Sequence, residues 1–352
     1  MSHVPYALSD SAAKIMSVLW LIRFEDSKAF LQALKQYDDS FMNYCLGSLL
    51  DAVSQNRVDS NMMTLLSVYR GNELLIVLTK SPKDVSWIMS VPQSVEGTLD
   101  AQELAASAKL LSSAVFAVAD PSSMDKVIGP RDAVNAFLEG WIALMEAKGV
   151  HLQLIDPWFV LRVSYANART LPPPSSAFSK YTIIQASITD DVESLIPLYL
   201  DLLSHGPNSG TEETARALFK SSIEARLTWI CRVDGVLAGY VLLGRVTPRT
   251  IAIRNVYVSP DRRRKGIAEA MVRAVTRYYL GVQPLAFESA PSTPPEVGIK
   301  EEVCLNVADA GAERVYTRCG FLFHSPTDEE SVAGRDKKGW YTSIWQGVQP
   351  VQ

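Results

Sequence analysis

The segment Asn255-Val-Tyr-Val-Ser-Pro-Asp-Arg-Arg-Arg-Lys-Gly-Ile-Ala268 narrows the choice of fold more than any other part of the chain. It begins inside Thr250 to Val258, an alternating run that predicts a long strand, and it ends where Ile267, Met271, Val275 and Tyr278 start to mark one face of a helix over Ile267 to Leu280. A helix that opens directly behind a strand and a short basic loop presents N–H groups that have no partner within the helix, together with the positive end of its dipole. A pyrophosphate placed there gains several hydrogen bonds. Gly266 keeps a Cβ out of the approach. Arg263, Arg264 and Lys265 add formal charge, and an arginine fork can hold two phosphate oxygens at once. The segment therefore predicts an anion cradle at a strand–helix junction of an α/β protein.

Within it, Arg263 to Ala268 reads R-x-x-G-x-A, and a second pattern follows in Cys304-Leu-Asn-Val-Ala-Asp-Ala-Gly-Ala-Glu-Arg-Val-Tyr-Thr-Arg-Cys-Gly-Phe321. The two, in this order, resemble the acyl-CoA signatures of the GNAT superfamily of N-acetyltransferases. Asp309 stands where that family usually has Asn, and Val315 where it has Leu. The resemblance implies a mixed sheet splayed into a V, with pantetheine in the gap pairing its amides with the strand that ends at Val258, as extended ligands do at an open sheet edge. It further implies that Val256, Tyr257 and Val258 contact pantetheine. Arg263, Arg264, Lys265, Gly266, Ile267, Ala268 and Glu269 would hold the pyrophosphate, with Asp309 in the cofactor set and Tyr316 near the thioester sulfur. The implied cosubstrate is acetyl-CoA, with no metal. Read by itself, Asp309 is a helix cap.

Acyl transfer to an amine needs a base, because a free amine of pKa about 10.4 is almost fully protonated at neutral pH, and the departing thiolate benefits from an acid. Tyr316 is the candidate acid, and the N–H of Val256 or Tyr257 the candidate oxyanion donor. The strand Ile251 to Val258 contains no Asp or Glu, so the base is sought in Glu288, Glu301, Glu302 or a water chain.

Composition removes other classes. At 47% apolar and 20% charged residues the chain reads as globular, and a formal charge of −4 gives no global attraction to nucleic acid or anionic membranes. The start lacks a basic and then apolar leader, and no apolar run spans a bilayer, so a cytoplasmic protein, with the nucleus possible, is expected. The cysteines Cys45, Cys231, Cys304 and Cys319 have no paired or metal-ligand spacing and are expected as reduced core thiols. HExxH, the Walker pattern and G-x-S-x-G are absent.

The length of 352 residues favours two domains. Leu171-Pro-Pro-Pro-Ser-Ser-Ala-Phe-Ser179 is expected as an extended linker, separating 1–170 from 180–352. Downstream, Tyr181 to Ala186 predicts a strand, Asp190 to Leu203 a helix capped by Thr189 or Asp190, and Glu212 to Arg226 a second helix. Thr228 to Val233 and Val236 to Leu243 predict a hairpin about Asp234-Gly235. Glu302 to Val307, Asp309 to Arg318 and Trp340 to Trp345 predict strand, helix and strand. Upstream, helices over Ser27 to Tyr37, Phe41 to Val53 and Asp132 to Ala147, and strands over Leu74 to Thr79, Val85 to Ser90 and Ala114 to Ala119, echo the same order. Ala114 to Pro121 with Gly129 is taken as the counterpart of Val256 to Asp261 with Gly266. The expected architecture is therefore tandem GNAT-like α/β (α+β) halves, mixed sheets flanked by helices, the C-terminal one intact and the N-terminal one degenerate. Pro130, which has no N–H, marks the first half as unable to bind CoA, and its expected service is to wall the acceptor pocket.

Three functions are weighed: an N-acyltransferase that moves an acetyl group to an amine of a small molecule or peptide within a ternary complex, a non-catalytic CoA-binding module, and a nucleic-acid or chromatin adaptor using Arg262 to Lys265. That basic run also reads as a nuclear import signal or a solvated loop. The acidic chain argues against the adaptor, so neither nucleic acid nor membrane is expected as a partner, and the insertion Gly281 to Lys300 is expected to border the acceptor channel. The oligomeric state is not legible.

Overall fold

The computed structural model describes residues 18–54, 63–81, 86–119, 124–206, 209–285, 291, 293–323 and 339–351. The first half runs β1 (Leu19–Phe24), α1 (Ser27–Leu34), α2 (Asn43–Ser54), β2 (Thr64–Arg70), β3 (Glu73–Lys80), β4 (Trp87–Ser90), α3 (Ala101–Phe116), β5 (Val127–Pro130), α4 (Arg131–Glu146), β6 (Leu152–Leu154) and β7 (Phe159–Asn167). The second runs β8 (Thr182–Gln185), α5 (Val192–Ser204), α6 (Glu212–Glu224), β9 (Thr228–Val233), β10 (Val236–Gly244), β11 (Thr250–Val258), α7 (Ile267–Tyr279), β12 (Glu302–Val307), α8 (Ala310–Arg318), β13 (Trp340–Gln346) and β14 (Val348–Pro350). Each half is a strand, two helices, three strands, then helix, strand, helix and a closing pair of strands. The tandem architecture expected from the sequence is what the chain adopts.

Two compact units result, one formed by residues up to Arg162 together with those from Tyr341 onward, the other by Val163–Trp340. In the first unit the strand order is β1-β2-β3-β4-β5-β13. The strand β13 thus joins the first unit's sheet beside β5, with Ser343 opposite Pro130 and Gln346 opposite Val127. Both faces are covered, which is why β2 reads as a nearly continuous apolar run. Leu66 and Val68 pack with Leu111, Val115, Phe137 and Trp141 of α3 and α4, while Leu65 and Tyr69 pack with Phe30, Leu34 and Leu46 of α1 and α2.

The second unit has the order β12-β11-β10-β9-β8. Its β9–β10 hairpin turns at Asp234 and Gly235 with φ of 52° and 77°, the paired left-handed conformation that an Asp-Gly turn favours. Met271, Val275 and Tyr278 of α7 pack on one face with Ile251, Ile253 and Val303; Leu195 and Phe219 of α5 and α6 pack on the other with Ile230, Tyr240 and Tyr257. Among the described residues no helix is long and apolar enough to cross a membrane. The four cysteines are buried and none is joined in a disulfide.

Three local expectations are corrected. Ala114–Phe116 ends α3 instead of opening a strand, because Leu111 and Val115 are buried one helical turn apart and Asp100 and Glu103 form a capping box at the helix start. The counterparts of β11 and α7 are therefore β4 and α3, and Gly129-Pro130 corresponds to the junction of β12 and α8. Gly129 instead allows a close approach of β5 to β4, since a Cβ there would lie 2.5 Å from the carbonyl oxygen of Met89. The proline segment lies within the second unit, strapped to α7: Arg277 donates to the carbonyl of Pro172 at 2.8 Å and Arg273 to that of Pro173 at 3.5 Å. Finally, α5 starts at Val192 with Asp191, not Thr189 or Asp190, at its N-cap, and the Asp191 carboxylate accepts from the N–H of Ser187 and pairs with Arg232.

Candidate functional site

Strand β11 has two halves with different neighbours. Thr250 to Ile253 pair in parallel with Glu302 to Leu305, and the pairing stops there, although β11 runs on to Val258 and β12 to Val307. On its other side β11 stays paired with β10 up to Gly239 opposite Val258. The opening sits beside an irregularity. Leu242 faces Asn255 but Leu243 faces Ile253, so Arg254 is an extra residue, a β-bulge. The bulge reverses the alternation, because Ile251 and Ile253 before it and Val256 and Val258 after it all contribute to the core beneath α7. The result is a strand edge that β12 leaves beyond Ile253 and that leads, from Asn255 to Val258, straight to Arg263 and Gly266.

At the end of that edge stands the start of α7. Gly266 is its N-cap at φ 83°, with no capping side chain. An added Cβ would meet only Phe178, at an ordinary 3.5 Å, so the glycine is needed for its left-handed backbone more than for space. Arg264 is also left-handed, at φ 61°. Among the described residues, no protein acceptor takes the N–H groups of Arg264, Lys265, Gly266, Ile267, Ala268 or Glu269. Alternating left-handed residues with free amides at a helix start form an anion-binding concavity.

The side chains expected to hold the pyrophosphate are disposed unequally. Arg263 folds back, its Nε 3.0 Å from the Val258 carbonyl and its guanidinium 5.5 Å from the centre of the Tyr257 ring. Lys265 reaches the Asp261 carbonyl at 3.5 Å, and Arg264 is exposed. Glu269 lies between Arg273 at 2.8 Å and Arg318 at 2.7 Å, which ties α7 to α8 and leaves its backbone N–H as its offering to an anion. Ile267 is buried under the helix start. Tyr257 is buried in the core below α5, where its hydroxyl donates to Asp201, so the backbone of this residue, and not its side chain, borders the opening.

Asp309 caps α8, accepting from the N–H of Ala312 at 2.7 Å. Tyr316, on the same helix, is half-buried with its ring edge-on to Phe321 at 5.9 Å. Burial, and then the neighbourhood of Cys319 and Asp309, raises its pKa well above the ordinary value, so the hydroxyl keeps its proton at neutral pH. Glu301 and Glu302 sit at the opposite end of the strands, Glu302 beside Thr250, and Glu301 is paired with Arg249 at 2.7 Å, which lowers its pKa. They are remote from the opening. Glu288 and part of the insertion from Gly281 to Lys300 lie outside the described residues.

The corresponding place in the first half is closed by its own side chains. The N–H of Glu103 bonds Asp100 at 2.8 Å, the N–H of Asp100 faces the Glu103 carboxylate, and Glu103 also pairs with Arg70. Two carboxylates thus occupy the α3 N-terminus where an anion would have to enter. Among the described residues no group of His, Cys, Asp and Glu is gathered that could hold a metal ion.

Sequence reasoning missed Tyr181, whose hydroxyl donates to the carbonyl of Lys265 from 84 residues away, and Phe178, which stands beside Gly266. No spacing rule connects them to the loop they touch.

A mixed sheet opened at a bulged strand and leading into an uncapped helix start sets a place for an extended chain beside a place for an anion. The Acetyltransferase (GNAT) family matches residues 195–284, from α5 past the end of α7, so the second half of the chain carries a GNAT domain. Among solved structures, a GCN5-related N-acetyltransferase from Sphaerobacter thermophilus shares the fold at TM-score 0.50 and 14% identity, over 94% of this chain and 95% of that one. A tandem GNAT protein from the clavulanic acid biosynthesis pathway is similar at TM-score 0.44 and 11% identity, over 94% and 98%. The protein yncA from Salmonella typhimurium, solved with its cofactor acetyl-CoA, aligns at TM-score 0.32 and 15% identity over 49% and 95%. No curated protein sequence matches the chain.

Proposed function

We propose that the second half binds acetyl-CoA, or a related acyl-CoA, and transfers the acyl group to an amine of a small molecule or peptide by direct attack in a ternary complex. The observation that carries this reading is the continuity of the β11 edge from Asn255 to Val258, which β12 leaves open, with the six free N–H groups from Arg264 to Glu269. An extended amide-bearing arm pairs with the first and a pyrophosphate with the second. The amine nitrogen bonds to the thioester carbon as the C–S bond breaks, the oxyanion is met by the N–H of Val256 or Tyr257, and Tyr316 gives its proton to the departing thiolate. The proton lost by the amine leaves through water.

A non-catalytic CoA-binding module is the second reading, supported by the bulge itself, where Arg254 and Asn255 stand and no carboxylate does. Turnover of acetyl-CoA with a panel of amines separates the two. Calorimetric titration with acetyl-CoA, alongside a Gly266→Asp variant, tests the site: one equivalent bound, and lost in the variant, is expected. Absence of binding in the unmodified protein refutes both readings.

A further inference from the structure

We infer that Tyr181 is a positioning residue for the pyrophosphate of the acyl-CoA, an inference that rests on the reading above. Tyr181 precedes β8 and lies far from either sequence signature, yet its hydroxyl donates to the main-chain carbonyl of Lys265. That carbonyl belongs to the peptide that also carries the N–H of Gly266. A trans peptide is planar, with C=O and N–H pointing in opposite directions, and the cis bond identified in the chain is Gln283-Pro284. Holding the carbonyl against buried Tyr181 therefore holds the Gly266 N–H facing away from the protein, toward the concavity. The hydrogen bond also polarises the peptide and strengthens that N–H as a donor.

This peptide needs such a restraint. It joins Lys265 to Gly266 at φ 83°, one residue after Arg264 at φ 61°, and glycine, with no Cβ, rotates readily between backbone regions. Without an anchor the carbonyl could turn outward, where it would repel a phosphate. The anchor is itself fixed. Arg277 holds the carbonyls of Pro172 at 2.8 Å and Pro284 at 3.0 Å, Arg273 lies over the Phe178 ring at 5.5 Å, and the Phe178 edge reaches Gly266. The segment running from Leu171 to Tyr181 is thus a brace from the middle of α7 to the loop at its start, and Tyr181 is the point at which the brace meets the loop.

The test is a double-mutant cycle on the full chain, read as acetyl-CoA affinity by calorimetry with melting temperature measured alongside. Tyr181→Phe keeps the packed ring and removes the donor. It is expected to weaken acetyl-CoA binding about five- to tenfold, the loss of one hydrogen bond, with the melting temperature moved by no more than about 2 °C. Gly266→Ala, in which the strained backbone already disturbs the same peptide, is expected to make the further change Tyr181→Phe nearly silent, under about twofold. Equal affinity of Tyr181→Phe and the unmodified protein overturns the inference, as do additive losses in the double variant. A purely structural role for Tyr181 would lower the melting temperature while leaving the losses additive. If the unmodified protein binds no acetyl-CoA, it is the functional reading that fails.

Discussion

The hydroxyl of Tyr257, on the strand that borders the opening, donates to the carboxylate of Asp201 near the end of α5. The side chain of a residue expected to touch the cofactor is thus spent on joining the sheet to a helix, while its ring lies nearly parallel to that of Tyr240 at 6.0 Å. Tyr257→Phe should therefore cost on the order of 1 kcal/mol of stability and leave acetyl-CoA affinity within about twofold. Chemical denaturation and calorimetry of the same variant check both statements, and a large loss of affinity at unchanged stability would place the hydroxyl in the site after all.

Alkaline pH should unfold the protein. Burial is the first cause of the raised pKa in Tyr69, pushed up to about 12, and in Tyr240, Tyr257 and Tyr279, which are also raised. An unfolded tyrosine titrates near 10. Because the folded values are higher, the stability these residues contribute is fully present below about pH 10 and drains away as the pH climbs toward and through the folded values. Melting temperatures recorded between pH 8 and 12 should be flat at first and then fall. A constant melting temperature across that range would show that these hydroxyls are not held neutral by the fold.

Tyr316→Phe should lower turnover at saturating acetyl-CoA by a factor on the order of 10 to 100 with little change in KM for acetyl-CoA, since removing a general acid affects the transition state more than binding. Steady-state kinetics with an accepted amine decides it, and unchanged kcat removes Tyr316 from the mechanism.

One equivalent of acetyl-CoA should bind per chain. In the first half the α3 N-terminus is filled by Asp100 and Glu103. Asp100→Ala should cost about 1 kcal/mol through loss of the cap without producing a second equivalent in the titration, because Glu103 and its partner Arg70 remain. A second equivalent in the unmodified protein would show that the first half has kept its site.

Much of the second half was legible because its signals are local. The Asp234-Gly235 turn, the alternation of Thr250 to Val258, and the apolar face of α7 each declare themselves within a few residues, and the structure keeps the bounds of β9 and β11 and shifts one end of β10 and of α7 by a single residue. The first half misled where the signal was ambiguous. Ala114 to Ala119 is a short apolar run, and such runs do not distinguish a strand from the buried end of a helix; the deciding residues, Asp100 and Glu103, lie more than ten positions earlier. The direction of Tyr257 escaped for another reason. Arg254 bulges out of the ladder, and only the pairing with β10 reveals that the inward and outward positions exchange there. Tyr181 and the proline brace depend on contacts across the fold, which local spacing does not encode.

The placement of β13 has a consequence for how the protein is made. The edge of β5 is closed by residues that follow the whole second unit in the chain, since Ser343 to Gln346 pair with Val127 to Pro130. During synthesis the first unit must wait with an open strand edge until the second unit has been made. Expression of 180–352 alone would carry β13 without its partner, exposing Ile344, which belongs to the first unit's core. Aggregation of such a fragment would then report a missing strand partner, and would say nothing about the acyl-CoA site proposed within it.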